Sequence, residues 1–255
     1  MKFIFLSLFV ISTSAFSAEF LEFGDKSFQA KKLNSSRWVF DMGADYFDYQ
    51  AYLPSYDGEH QTIKEDNTYG LYGVSLNFGR EFNIAGGLSS TIKLGTFFNK
   101  TIESSTGKAS EDVELDLASS KDDHQILGAQ AALDVNYLIE TSVINLQPFI
   151  GMAVGRGQSN FTKVYRFEGL SGASLPAEDY KVSSEETFNF TKATVGLKLI
   201  SKTGFLSFIQ ASQINYVKEN RKLSGKIDGT KLDSDTNINE ENSTIIGTIG
   251  FGYLF

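Results

Sequence analysis

From residue 36 onward, bulky apolar side chains fall on every second residue in a series of separate stretches. Arg37 to Asp48 sets Trp38, Phe40, Met42, Ala44 and Tyr46 on one face, with Val39, Asp41, Gly43 and Asp45 on the other. Leu71 to Arg80, Ser89 to Asn99, Ile126 to Leu138, Ile144 to Gly155, Phe190 to Leu199 and Thr244 to Phe255 repeat the pattern. Phe205 to Tyr216 is the least regular, since neither of its faces is cleanly apolar. A period of two belongs to strands, whose side chains alternate between faces. The face opposite the bulky one is rich in Gly, Ala, Ser, Thr and Asn with a few charges. Small and polar residues suit a narrow lumen, and bulky apolar ones suit hydrocarbon. The pattern predicts an all-β, up-and-down antiparallel transmembrane β-barrel over 36–255, with eight strands and ten as the alternative count.

The connections sort by length. Glu81 to Gly87, Glu140 to Ser142 and Ser201 to Gly204 are short. Those near 49–68, 100–125, 156–188 and 217–242 run about 20 to 33 residues, beyond the usual connection in a compact domain. Short turns at one end and long loops at the other are what a barrel with periplasmic turns and external loops presents. Aromatic residues follow this threading. Trp38, Phe78, Tyr137, Phe205 and the last three alternate aromatics are expected at the periplasmic end; Tyr46, Tyr72, Phe98, Phe190 and Tyr216 are expected near the outer end.

The N-terminus reads as an export signal. Lys2 precedes the apolar run Phe3 to Ile11, and Ser12 to Ala18 supplies small residues for cleavage, favoured after Ser17. That run is far short of the ~20 residues a spanning helix needs. Residues 18–35 are expected to form a periplasmic tail, with a short amphipathic helix or part of an extra strand as alternatives, since Phe20, Leu21, Phe23, Phe28 and Leu33 lie among charges without a clean period. With 22 Phe and 11 Tyr the composition favours pleated surfaces. The absence of Cys leaves no disulfide and no site for lipid attachment through a thiol.

Ile249-Gly250-Phe251-Gly252-Tyr253-Leu254-Phe255 resembles the C-terminal signature of bacterial outer-membrane barrels. Gln147 to Gly155 is similar to the fifth strand of small OmpA-like, opacity-protein-type barrels. The resemblance implies that Phe251, Tyr253 and Phe255 are read by the barrel-assembly machinery of a Gram-negative cell. It implies a barrel alone, without the peptidoglycan-binding domain that some relatives carry after it.

Six ionisable residues fall on inward positions: Asp41, Asp45, Lys93, Asp134, Lys192 and Lys198. Charges in a narrow lumen are costly unless paired, so an internal ion-pair network that plugs the barrel is expected. A narrow pore is the alternative. Both histidines, His60 and His124, are expected in external loops, where a carboxylate beside an imidazole would suit general-base work in a lipid A-modifying enzyme; solvated loop histidines are the preferred reading. The run from Asp233 through Asp235 and Asn237 to Glu241 spaces oxygens like a calcium loop, but Ile238 replaces the turn glycine and Thr244 the bidentate Glu. The long loops are acidic and the remainder is near neutral, which suits divalent bridging to lipopolysaccharide and opposes nucleic-acid binding. The expectation is a non-enzymatic surface protein without cofactor, acting in envelope integrity or adhesion. Its partners would be outer-membrane lipid, lipopolysaccharide and a surface ligand.

Overall fold

A computed structural model of the chain describes residues 36–50, 57–58, 61–62, 68–101, 117–167, 179–227 and 230–255. The export signal, the 18–35 segment and His60 lie outside the described residues. Eight strands follow in order: β1 (Arg37–Gln50), β2 (Thr68–Ala85), β3 (Leu88–Thr101), β4 (Leu117–Tyr137), β5 (Asn145–Phe167), β6 (Asp179–Ile200), β7 (Phe205–Ile227) and β8 (Thr230–Leu254). Each pairs antiparallel with its neighbour, and β1 closes on β8 from Val39 opposite Leu254 to Phe47 opposite Ile246. Closure removes the unpaired edge that lipid would not tolerate. Two short pieces, Asp57–Gly58 and Gln61–Thr62, pair with each other outside the barrel.

Local chemistry explains the turns. Ala85 pairs with Leu88, leaving Gly86 and Gly87 as a two-residue hairpin loop in which both have positive φ, 57° and 85°. That is the primed turn that matches strand twist, and it requires residues tolerant of left-handed backbone.

Several connections expected as loops are strand. β5, at 23 residues, and β8, at 25, far exceed the ~9–11 a tilted strand needs to cross a bilayer. The stretch 217–242 is paired from end to end except at residues 228–229, which are not described, and at an irregularity between Asn237 and Glu240. Hydrophilic composition made these segments look like loops. They are strands whose alternation pits polar residues against polar, so period two leaves no hydropathy signal.

The outward face carries a belt. Phe40, Val74, Leu76, Ile92, Leu94, Leu133, Ile150, Met152, Val195, Ile209 and Ile245 all stand exposed. A water-soluble chain rarely exposes so broad an apolar surface. On β1 the belt runs from Trp38 to Tyr46, roughly 20 Å along the axis at ~3.3 Å per residue and ~40° tilt, close to the ~25 Å apolar band of such barrels. Trp38 stacks on Phe78 at one edge and Tyr46 meets Tyr72 at the other. Tyr253 and Phe255 stack beside the first edge, and the Phe255 backbone exchanges hydrogen bonds with Trp38.

Two of the expected outer aromatics are elsewhere. Phe190 and Tyr216 point into the lumen, at 4% and 3% exposure. Both continue the inward parity of their strands, through Lys192 on β6 and Ile214 on β7. The outer edge of the belt on that side is polar instead, with Arg156, Asn189 and Glu219 in contact outside the barrel.

Candidate functional site

The lumen is the feature that any transport or binding role would have to use, and it is filled in layers. At the end with the short turns Glu81, 2% exposed, accepts hydrogen bonds from Arg37 (2.9 Å), Gln147 (2.8 Å) and Ser89. Val39, Ile200, Leu206, Phe208 and Leu254 form a small apolar cluster at this end.

Above it lies a charge network. Lys93 Nζ stands 2.8 Å from Asp134 and 3.4 Å from Asp41, and Lys198 Nζ is 3.5 Å from Asp134. Neutral groups complete the shell: Asn77 donates to Asp41 (2.6 Å), Gln130 donates to Asn77 (2.9 Å), and Lys198 donates to Asn136 (2.8 Å) while lying over the Phe149 ring. The structure therefore brings Asp41, Lys93, Asp134 and Lys198 together. Asp45 and Lys192 sit one layer higher, where Asp45 accepts from Thr248 (2.7 Å) and Lys192 donates to Gln130 (2.7 Å). Both line a cavity of about 40 Å³, whose walls also include Ser75, Asn99 and Gln210. That space suits a few water molecules.

The cavity roof is aromatic. Tyr49 stacks on Tyr216 with ring centres 5.1 Å apart, and Tyr69 packs on Phe161 and Phe97 on Phe190. The expectation of an inward face dominated by small and polar groups needs correcting. Glycines across the barrel wall make room for large rings: a Cβ on Gly128 would meet Phe97 at 2.2 Å, on Gly155 Phe190 at 2.3 Å, on Gly196 Phe149 at 2.5 Å, and on Gly250 Phe208 at 2.3 Å. These four glycines mark where a ring from another strand lies, not empty space. This also accounts for β7, whose inward side carries Leu206, Phe208, Ile214 and Tyr216 and so blurs its periodicity.

A second charge network caps the roof. Glu186 lies 2.9 Å from Lys218 and 2.7 Å from Arg221, and Arg221 reaches Glu240 at 2.8 Å. Lys218 also lies over the Tyr49 ring. Sequence reading missed this cap because its residues were assigned to loops. Extending the inward parity of β7 from Tyr216 to Lys218 would have reached it.

His124 is part of the roof, not a loop. It sits on β4 above the apolar belt, between outward-facing Asp123 and Gln125, with no exposure. Its Nε2 pairs with Ser159 Oγ at 2.7 Å, and Nδ1 finds no partner among the described residues. Burial, together with the nearby Lys218 charge, brings its pKa down to about 3, so the ring is neutral. A serine–histidine pair is thus present, but among the described residues it has neither an orienting carboxylate nor a path for substrate. The Asp233, Asp235 and Asn237 run lies on β8 as extended strand, with Asp235 opposite Lys222. Alternate residues on a strand stand ~6.6 Å apart and do not converge on one point, and no cluster of three metal-ligating acids, histidines or cysteines occurs among the described residues.

A closed barrel with an apolar belt outside and a packed polar and aromatic interior decides the class. The chain is an eight-stranded outer-membrane-type β-barrel. No protein-family model and no curated protein matches its sequence. Among solved structures the barrel is similar to a major outer membrane protein from Thermus thermophilus, at 14% identity and a TM-score of 0.46, covering 87% of this chain and 100% of that one. It is also similar to Neisserial surface protein A, at 10% identity and a TM-score of 0.38, over 87% of this chain and 99% of that one. The attachment invasion locus protein of Yersinia pestis, solved with a heparin analogue, aligns at 14% identity and a TM-score of 0.34, over 87% and 99% of the two chains. These likenesses concern the architecture of the barrel.

Proposed function

We propose that this barrel is a non-enzymatic surface protein of the bacterial outer membrane, serving envelope integrity or adhesion through the strands and loops that rise above the belt. The observation that carries this reading is the filled lumen. Charge networks, an apolar cluster and an aromatic roof occupy successive levels, and an eight-stranded barrel has no spare width for a channel beside them. Of the two histidines considered for a rim enzyme, His124 is buried and neutral, and His60 lies outside the described residues. What remains available to a partner is the extended outer part, where Asp123, Glu185, Glu219, Asp233, Asp235 and Glu241 lie outside the buried interior. Such a surface suits divalent cations shared with lipopolysaccharide phosphates, or a cationic ligand.

The experiment compares cells displaying the full chain with cells displaying a variant in which the 217–242 hairpin is shortened to a tight turn. Loss of surface adhesion, or raised sensitivity to envelope stress, in the shortened variant is the expected result, provided the barrel still shows heat-modifiable migration. General-porin conductance in a planar bilayer would overturn the proposal. So would a change in lipid A mass spectra that disappears in the His60→Ala, His124→Ala double variant.

A further inference from the structure

The apolar surface does not stop at the periplasmic edge of the belt. Arg80 faces outward on β2, directly opposite Trp38 in register, with its guanidinium 5.3 Å from the Trp38 ring centre and 5.5 Å from that of Phe82. A cation beside tryptophan marks the headgroup level. Yet Phe82 and Ile84 continue past it, joined by Leu88 across the turn and by Ile139, Val143 and Ile144 of the β4–β5 connection. Ile84 is 60% exposed and Val143 78%. The two turns lie side by side, since Leu138 N donates to the Gly87 carbonyl at 2.8 Å. The third turn, Ser201-Lys202-Thr203-Gly204, carries no such residues. The result is a one-sided apolar patch around the two short turns, the kind of surface that marks a docking site.

The chain itself points to the occupant. Arg80 donates from Nε to Ser36 Oγ at 3.0 Å, and its Nη2 reaches the same oxygen. This clasp holds Ser36, at the start of β1, against the outer face of β2 on the side of Phe82, so β1 begins beside the patch. The preceding residues, 18–35, carry Phe20, Leu21, Phe23, Phe28 and Leu33. Eighteen residues can span up to ~60 Å when extended, ample to cross two adjacent turns.

We propose that residues 18–35 dock on the patch formed by Phe82, Ile84, Leu88, Ile139, Val143 and Ile144, as a strap across the periplasmic end of the barrel. The inference rests on the reading of this end as periplasmic, and it is independent of what the outer loops contact.

The chain has no cysteine, so engineered pairs report cleanly. In the full chain folded into phospholipid vesicles, Phe23→Cys with Val143→Cys should cross-link within one molecule through a short bismaleimide. Phe23→Cys with Lys202→Cys should give several-fold less product. A bimane probe on Val143→Cys should shift to the red when residues 18–35 are removed, and likewise in the milder Phe20→Ser, Leu21→Ser, Phe23→Ser variant if the truncated chain fails to fold. Equal cross-linking to both turns would overturn the strap. So would bimane quenching by brominated phospholipid that is unchanged with and without the segment, since lipid would then cover the patch. Heat-modifiable migration of each variant reports separately whether the barrel itself has formed.

Discussion

Replacing Asp134 by Asn tests the charge network where it is most concentrated. Asp134 is 3% exposed and meets two buried lysines of this layer, at 2.8 Å from Lys93 and 3.5 Å from Lys198. The amide keeps the volume and removes the charge. Lys93 retains Asp41 at 3.4 Å, while Lys198 keeps the Asn136 oxygen and the Phe149 ring. The network of two acids and two bases is left with one uncompensated buried cation, a change that costs about 3–5 kcal/mol. With a urea slope of about 2 kcal/mol per molar, the unfolding midpoint should fall by about 2 M. Trp38, the single tryptophan, stacks on Phe78 at one edge of the belt and reports unfolding from vesicles by fluorescence. Adding Lys198→Met restores the balance of charge and should recover at least half of the loss, because the stranded cation is gone. A single variant within about 0.5 kcal/mol of wild type, or a double variant whose losses simply add, would refute the claim that charge balance holds these residues together.

Other expectations follow from the same interior. Gly250→Ala should destabilise the barrel by about 1–3 kcal/mol, because its Cβ would lie 2.3 Å from both the Met42 carbonyl and the Phe208 ring. Gly247→Ala, where nothing lies within 4 Å, should be neutral in the same urea titration, and equal effects would refute the ring-over-glycine account. His124 has a folded pKa of about 3 against ~6.5 when unfolded, so only the unfolded chain takes up this proton between those values. Stability should therefore fall with pH across that window by ~1.4 kcal/mol per unit from this group. His124→Phe should flatten the slope by one proton, and an unchanged slope would place the titration elsewhere. Glu186→Gln leaves Lys218 and Arg221 sharing the more exposed Glu240; proteolysis of the outer strands in intact cells should speed up while heat-modifiable migration persists.

The barrel was legible because its lipid-facing half obeys a simple rule. Trp38, Phe40, Met42 and their counterparts must all be apolar, whatever they touch, since hydrocarbon has no local structure to match. The interior obeys no such rule. Whether Gly128 faces a void or the Phe97 ring depends on how β3 and β4 are staggered, and no single strand records that stagger. For the same reason Phe190 and Tyr216 read as girdle residues from their place near strand ends, although their parity puts them inside. Charges were easier to place than rings, because Lys93 or Asp134 on an inward position stands out against glycine and alanine.

The outer half was hardest to read, and the cause bears on function. Above the aromatic roof both faces of a strand carry charges, as at Glu185 and Glu186 or Lys218 and Glu219, so hydropathic alternation vanishes from the sequence while it persists in the structure. Lys218, Arg221 and Glu186 look like any solvated charges, yet they cap an aromatic roof at nearly complete burial. The cap makes the exposed strands above the membrane an extension of the packed barrel instead of independent loops. Residues such as Glu185 and Glu219 on their outer side can then change without loosening the core, since Glu186 and Lys218 beside them hold the wall from within. A surface protein needs that separation: a rigid inner face that fixes the strands, and an outer face whose chemistry can be set by the partner alone. Exchanging the outward charges Glu185, Glu219 and Glu241 for Gln together should therefore leave the unfolding free energy within about 0.5 kcal/mol of wild type, while changing cation-dependent association with lipopolysaccharide. If the free energy fell well beyond that, the two faces would be coupled and the outer strands would be part of the fold's stability instead of a platform for contact.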